Sequence, residues 1–214
     1  GTALTDLVAV GAARAKLNQG LAPKDGNRYI QCDSVAMGGL VNGLKGLFQD
    51  SAQIREQYRE GMIGRTAMAD WYENDRMWTL TNGSDVTGTT DAAALVTDGG
   101  NIVDMHTTVA VATQAVGEVF TIAGVYAVNP QTRQSTGSLQ QFVVTADATA
   151  SSGNWSSVSV SPAIYTSANA LATVDAFPQS GAVVTMLGSA SSQYAQNLVY
   201  HRDAITFATA DGRD

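Results

Sequence analysis

A single cysteine, Cys32, stands in a chain of 214 residues. It excludes a disulfide framework and a zinc site built on cysteines. Its bland role is that of a small buried hydrophobe. Four prolines are too few for a proline-rich disordered chain. No run of about 18 apolar residues occurs, so no segment reads as a membrane-spanning helix. No basic-then-apolar stretch reads as a secretion signal. Charged residues make up only 14%, with 12 basic against 19 acidic side chains. The net charge of −7 speaks against free binding to nucleic acid, which needs clustered Lys and Arg. Phosphate loops, nucleophile elbows, H-E-x-x-H and dinucleotide fingerprints are also missing. What remains is enough for a core: 44% of the residues are hydrophobic, and the length suits one large domain or two small ones.

Charge divides the chain. Residues 1–76 carry nine basic and nine acidic side chains, whereas residues 77–200 carry one basic residue, Arg133, and seven acidic ones. Leu, Met, Arg and Gln give way to Val, Thr, Ser and Ala. Such a shift marks a domain boundary, placed near "TNGSD", 81–85, where Asn-Gly signals a turn. The chain opens on Gly1 and runs almost at once into a helical pattern, which reads as a fragment, a processed product or part of a longer polypeptide.

The first part reads as helices and strands. Leu4, Leu7, Val8, Gly11 and Ala15 share one helical face. Gly20 fits the C′ position and Pro23 stops the helix. "NRYIQC", 27–32, is a short strand. A second helical stripe runs through Met37, Leu40, Val41, Leu44, Leu47 and Phe48. Its glycines 38, 39, 43 and 46 each cost about 1 kcal/mol against alanine, which implies a close backbone neighbour or a bend. Asp50 or Ser51 caps a further helix, "AQIREQYRE", with Gln53 completing a capping box and Gly61 ending it.

The second part reads as β. Six stretches are rich in Val, Thr and aromatics: "VDMHTTVAVAT", "GEVFTIAGVYAVNP", "LQQFVVTAD", "WSSVSVSPAI", "ATVDAF" and "AVVTMLG". The turn signals "DGG", "NPQT", "STG", "SSGN" and "PQSG" separate them. Six short strands predict a small antiparallel barrel or sandwich. "NLVYHRDAITFATA" then resumes as one longer strand.

Candidate chemistry is thin. His106 has no second histidine nearby and reads as a structural residue of a β stretch. Asp85, Asp91, Asp98 and Asp104 lie along a polar run too sparse for a calcium loop, and read as a solvated loop. Trp71, Tyr72, Trp78 and Trp155 could line a sugar-binding face, although packing at strand ends is the better reading. Asp70, Glu73 and Asp75 cluster around Trp71 and Tyr72. Acid–base work would need a pocket, and ionic contact with Arg65 or Arg76 fits better. His201 and Arg202 stand side by side, but alternation along a regular strand points them apart. That weakens a joint catalytic role and leaves Asp203 as the same-face neighbour of His201.

Five pieces, in order, carry a resemblance: "APKDGNRY", "EQYREGMIGR", "WYENDRMWTLTNG", "GEVFTIAGVYAVNPQTRQSTGSLQQFVV" and "NLVYHRDAITFATAD". Together they resemble the major capsid (coat) protein of tailed bacteriophages, of the type with an inserted β-domain. The resemblance implies an α+β, Hong Kong-97-type fold: an axial domain of helices packed on a sheet, interrupted by a small antiparallel β-barrel. Residues 1–82 would enter the axial domain, 83–196 would be the inserted barrel, and 197–214 would hold the return strand. The N-terminal arm, the extended loop and much of the peripheral domain would lie outside this chain.

The resemblance further implies a structural role without enzymatic activity. The subunit would self-assemble, as hexamers and pentamers, into an icosahedral shell around a packaged DNA genome. Partners would be other copies, scaffolding protein and portal, with weak or non-specific contact to DNA and none to a membrane. Assembly would occur in the bacterial host cytoplasm. No catalytic, cofactor-binding or metal-binding residue is expected, and no cofactor. Two alternatives stay open: a surface β-domain that binds carbohydrate or a receptor, and a hydrolase using His201 or His106.

Overall fold

In the computed structural model, which describes residues 7–44, 64–85, 87–91, 96–166 and 168–206, the chain divides into two compact units. One spans residues 79–194, and the other is formed by the described residues on either side. The elements begin with α1 (Leu7–Gln19), β1 (Arg28–Cys32), α2 (Ser34–Leu44), β2 (Arg65–Thr66) and β3 (Ala69–Glu73). Then come β4 (Thr79–Thr81), β5 (Thr87–Thr90), β6 (Gly100–His106), β7 (Thr113–Gln114), β8 (Val119–Val128) and β9 (Ser135–Val144). The last are β10 (Ala148–Thr149), β11 (Asn154–Ile164), β12 (Val183–Met186), β13 (Gln193–Ala195) and β14 (Leu198–His201). The described residues are thus mostly β, with two α-helices.

In the flanking unit the sheet order is β14-β1-β3-β2. β1 and β3 run parallel, and β14 lies antiparallel to β1. Alternation along β1 buries Arg28, Ile30 and Cys32 and leaves Tyr29 and Gln31 on the other face. Ile30, Cys32, Ala69 and Trp71 form a core with Val10 of α1 and with Ala36, Met37 and Leu40 of α2. On the opposite face the Tyr29 ring lies 5.9 Å from Tyr72 and 5.8 Å from Tyr200.

The expected face of the first helix is wrong in part. Val10 is buried and Leu7 packs beside it, but Val8 is 77% exposed. Small apolar residues surround α1 on nearly every side, so spacing alone does not choose a face. Its end is also displaced by one residue. The Leu21 N–H donates to Asn18 O at 3.1 Å and the Ala22 N–H to Leu17 O at 3.0 Å. This paired pattern makes Leu21 the C′ residue, and its φ of 61° is left-handed. A side chain pays for that conformation and glycine does not. Leu21→Gly is therefore expected to stabilise the protein by about 0.5–1 kcal/mol, after allowing for the looser unfolded chain. The urea midpoint of the flanking unit checks it; a lower midpoint would contradict it.

Asp33 caps α2 by accepting the Ala36 N–H at 3.1 Å. At Gly38 a Cβ would meet nothing within 4 Å, so no close backbone neighbour explains that glycine. The expected helix over "AQIREQYRE", and the residues Leu47 and Phe48, lie outside the described residues. β2 and β3 form a hairpin whose central residues, Ala67 and Met68, have φ of 57° and 64°. Glycine or asparagine normally mark such a turn, so this hairpin has no sequence signal.

The 79–194 unit holds a closed barrel in the order β11-β6-β5-β12-β8-β9, with neighbours antiparallel. Closure leaves no free sheet edge. Phe120, Ile122, Phe142, Trp155, Val158, Val160, Val174 and Val184 fill its interior. Six strands were expected and six close the barrel, but they are not the same six. "ATVDAF" buries Val174 yet forms only an isolated bridge to Ala127. Its place is taken by β5, the polar "TGTT" read as loop. "STG" is no turn: it opens β9. "VDMHTTVAVAT" is strand from Val103 through His106 and again only at Thr113, which opens β7.

Bulges set which residues face inward. Along β8 the buried positions are Phe120, Ile122, Val125 and Val128. The switch of parity falls at a register irregularity between Thr121 and Tyr126, with Gly124 at φ 80°. Along β11 a similar switch between Trp155 and Val158 falls at Ser157, with φ 64°.

Candidate functional site

Where the return strand meets β1, Arg28 and His201 bind the loop after α1. Arg28 is 2% exposed, yet the three oxygens its guanidinium reaches are neutral. Its Nε donates to Pro23 O at 2.9 Å, Nη1 to Asn18 Oδ1 at 2.9 Å and Nη2 to Ala22 O at 2.8 Å. A cation at the C-terminal end of α1 also suits the helix dipole. His201, the Cα partner of Arg28, places Nε2 3.0 Å from Asp25 Oδ1. Asp25 accepts the Asn27 N–H at 3.1 Å and the Asn27 side-chain amide at 2.9 Å. These bonds from Asn27, then the one from His201, hold its carboxyl well below the usual range.

The expected long strand over 197–210 stops at His201, and 207–210 lie outside the described residues. A 3-10 turn follows at Arg202–Ala204, and His201 Nδ1 accepts the Asp203 N–H at 3.2 Å. His201 and Arg202 are thus separated by the end of the strand, not by alternation along it. The Asp203 carboxylate, the neighbour expected for His201, is 3.7 Å from Nδ1, while Asp25 makes the closer contact.

In the barrel unit, acidic residues act as staples. Asp104 accepts the Ser157 N–H at 2.6 Å, the amide at the β11 bulge. Asp175 accepts the Tyr126 N–H at 2.9 Å, beside the β8 bulge. Asp147 binds the Val116 N–H at 2.7 Å, and Asp85 binds the Thr87 N–H at 3.2 Å and the Thr107 hydroxyl. Asp98 takes the Asn169 amide at 2.7 Å and the Thr166 N–H at 2.9 Å, which lower its pKa. The aspartates at 85, 98 and 104 are therefore acceptors that tie separate segments. Among the described residues no three His, Cys, Asp or Glu side chains gather as metal ligands would.

Glu118 is the buried member of this set. At 1% exposure, its carboxylate accepts the N–H groups of Gly83 and of Ala115, the latter at 3.1 Å. Burial pushes its pKa up despite those bonds. Asn82, also buried, donates to Leu187 O at 2.9 Å and Ser189 O at 3.2 Å. The Asn-Gly pair read as a turn is thus a locked crossing. Sequence reading missed Arg28 and Glu118, because a lone charged residue gives no sign of burial, and missed the exposed Asp25, because its partner His201 is distant in the chain. The Asp-x-Asn spacing of 25 and 27 was the one available hint.

The other candidates fall apart as sites. Trp155 is 1% exposed inside the barrel, and its Nε1–H donates to Ala112 O at 3.2 Å, so it offers no sugar platform. Trp71 is buried in the flanking core, while Tyr72 and Trp78 are exposed. Asp70 pairs with Arg65 at 3.1 Å, as expected, whereas Glu73 and Asp75 converge on the Ser34 hydroxyl. His106 is exposed at the end of β6. Cys32 is fully buried, and burial pushes its thiol up to about 11.

Among the described residues these side chains tie separate segments of the chain together. Residues 8–211 match the family model described as P22 coat protein, gene protein 5, and the chain belongs to that family. It is a bacteriophage coat protein with a structural role in the capsid. Among solved structures, the CUS-3 coat protein I-domain is similar: 28% identical, covering 50% of this chain and 96% of that one, with a TM-score of 0.33. Among curated proteins, none matches the chain.

Proposed function

We propose that this chain is a subunit of a self-assembling icosahedral shell of a tailed phage or prophage, closed around a DNA genome. In this reading the flanking unit is the axial domain of a Hong Kong-97-type fold, and the barrel is an insertion into it, covering residues 83–196. One observation carries the reading. The chain leaves its four-stranded sheet after β3, builds the whole barrel, and returns as β14 to pair with β1, register His201 to Arg28. A domain grafted into a host fold has this topology.

Lateral contacts between identical copies would supply the assembly energy, each modest and many times repeated. Scaffolding protein and portal would be further partners, and the genome would meet a net acidic subunit only weakly. Assembly would take place in the host cytoplasm. Electron microscopy of the intact full-length protein, with and without a scaffolding partner, tests the proposal. Closed shells are expected. A protein that stays monomeric in both conditions would overturn it.

A further inference from the structure

Histidine is an unusual residue to cap a turn, because its acceptor nitrogen is also a base. His201 caps the turn at Arg202–Ala204 by accepting the Asp203 N–H on Nδ1. A nitrogen that accepts an N–H carries no proton, so the hydrogen sits on Nε2, which donates to Asp25. The ring is 6% exposed and both nitrogens are engaged. We propose that His201 is a proton-dependent latch: neutral, it caps the turn; protonated on Nδ1, it releases the Asp203 N–H and pairs with the Asp203 carboxylate instead.

The exchange is local and balanced. One proton arrives from solvent at Nδ1, the N–H···Nδ1 bond breaks, and a contact now at 3.7 Å becomes an ion pair. Several charges surround the ring. Asp25 lies on the loop after α1, next to Lys24. Asp203 and Arg202 belong to the turn. Arg28 is the partner on β1, its guanidinium held by Ala22, Pro23 and Asn18. α1, which packs on β14, carries Arg14 and Lys16. The latch sits at the turn that follows β14.

The test uses the full chain labelled with 15N histidine. Long-range 15N–1H spectra above the titration should show the Nε2–H tautomer at His201. Through the titration, the protection of the Asp203 amide against exchange should fall about fivefold, the worth of one hydrogen bond. His201→Asn keeps a capping acceptor without a titrating base, and should abolish that fall. A dominant Nδ1–H tautomer, or an Asp203 amide whose protection does not follow His201, would overturn the proposal. The tautomer measurement needs no variant, so it stands even if His201→Asn fails to fold.

Discussion

Trp155→Ala is expected to destabilise the barrel by about 3–5 kcal/mol, the range for emptying a large aromatic site in a core. The ring is 1% exposed and belongs to the same buried cluster as Val103, Met105, Val158 and Val160. A Cβ at Gly88 would come within 3.5 Å of its outer edge, so β5 is seated directly on it. A closed barrel has few ways to collapse onto the void, since each strand is held on both sides. Trp155→Phe separates packing from hydrogen bonding. The Ala112 carbonyl that accepts the indole N–H also accepts the Ala150 N–H at 2.8 Å. It keeps a partner in the phenylalanine variant, which should lose only about 1–2 kcal/mol. Urea titration followed on barrel amides such as that of Phe142 measures both. If alanine and phenylalanine cost the same, the ring's volume is not what holds the barrel.

Gly83→Ala is expected to cost about 3 kcal/mol, at the upper end for overpacking. A Cβ there would overlap the Thr113 carbonyl and lie 2.9 Å from Gln114 Cα. Both obstacles are backbone, so no change of side-chain rotamer relieves them. The backbone cannot back away cheaply either. The Gly83 N–H is held by Glu118, and its carbonyl accepts the Ser191 N–H at 2.8 Å. Next to it, the Ser84 N–H donates to Thr113 O at 3.0 Å, and the Thr113 N–H donates to the Ser84 hydroxyl at 2.9 Å. Moving Gly83 also strips a donor from a buried carboxylate. Urea unfolding of the barrel is again the measure. A loss below about 1 kcal/mol would show that the segment has room to shift.

Legibility differs between elements for identifiable reasons. β8 was readable because its long Val-rich and aromatic run outlasts any local ambiguity, and so was the second half of β9, "LQQFVV". β5 was not, because Thr87–Thr90 contributes backbone to the barrel and only one buried side chain, Thr90. "ATVDAF" failed in the opposite sense. Val174 is fully buried, so its apolar character reported burial and not pairing. The β2–β3 hairpin gave no signal, since Ala67 and Met68 occupy positions that glycine and asparagine usually mark. His201 drew notice for its chemistry, yet its use depends on Asp25, which lies 176 positions earlier.

Composition and charge divided the chain into two parts, and the class was implied by the resemblance that five short segments carry. An α+β start, an acidic β-rich stretch and a returning strand follow from side-chain type and local spacing, which the chain carries with it. Tertiary structure alone decided which strands close the barrel, which face of α1 is buried, and what the acidic residues do. A carboxylate becomes a staple only when a bulge or a crossing strand brings an unpaired N–H to it. Such N–H groups arise from pairing between distant segments, and no local pattern in the sequence records them.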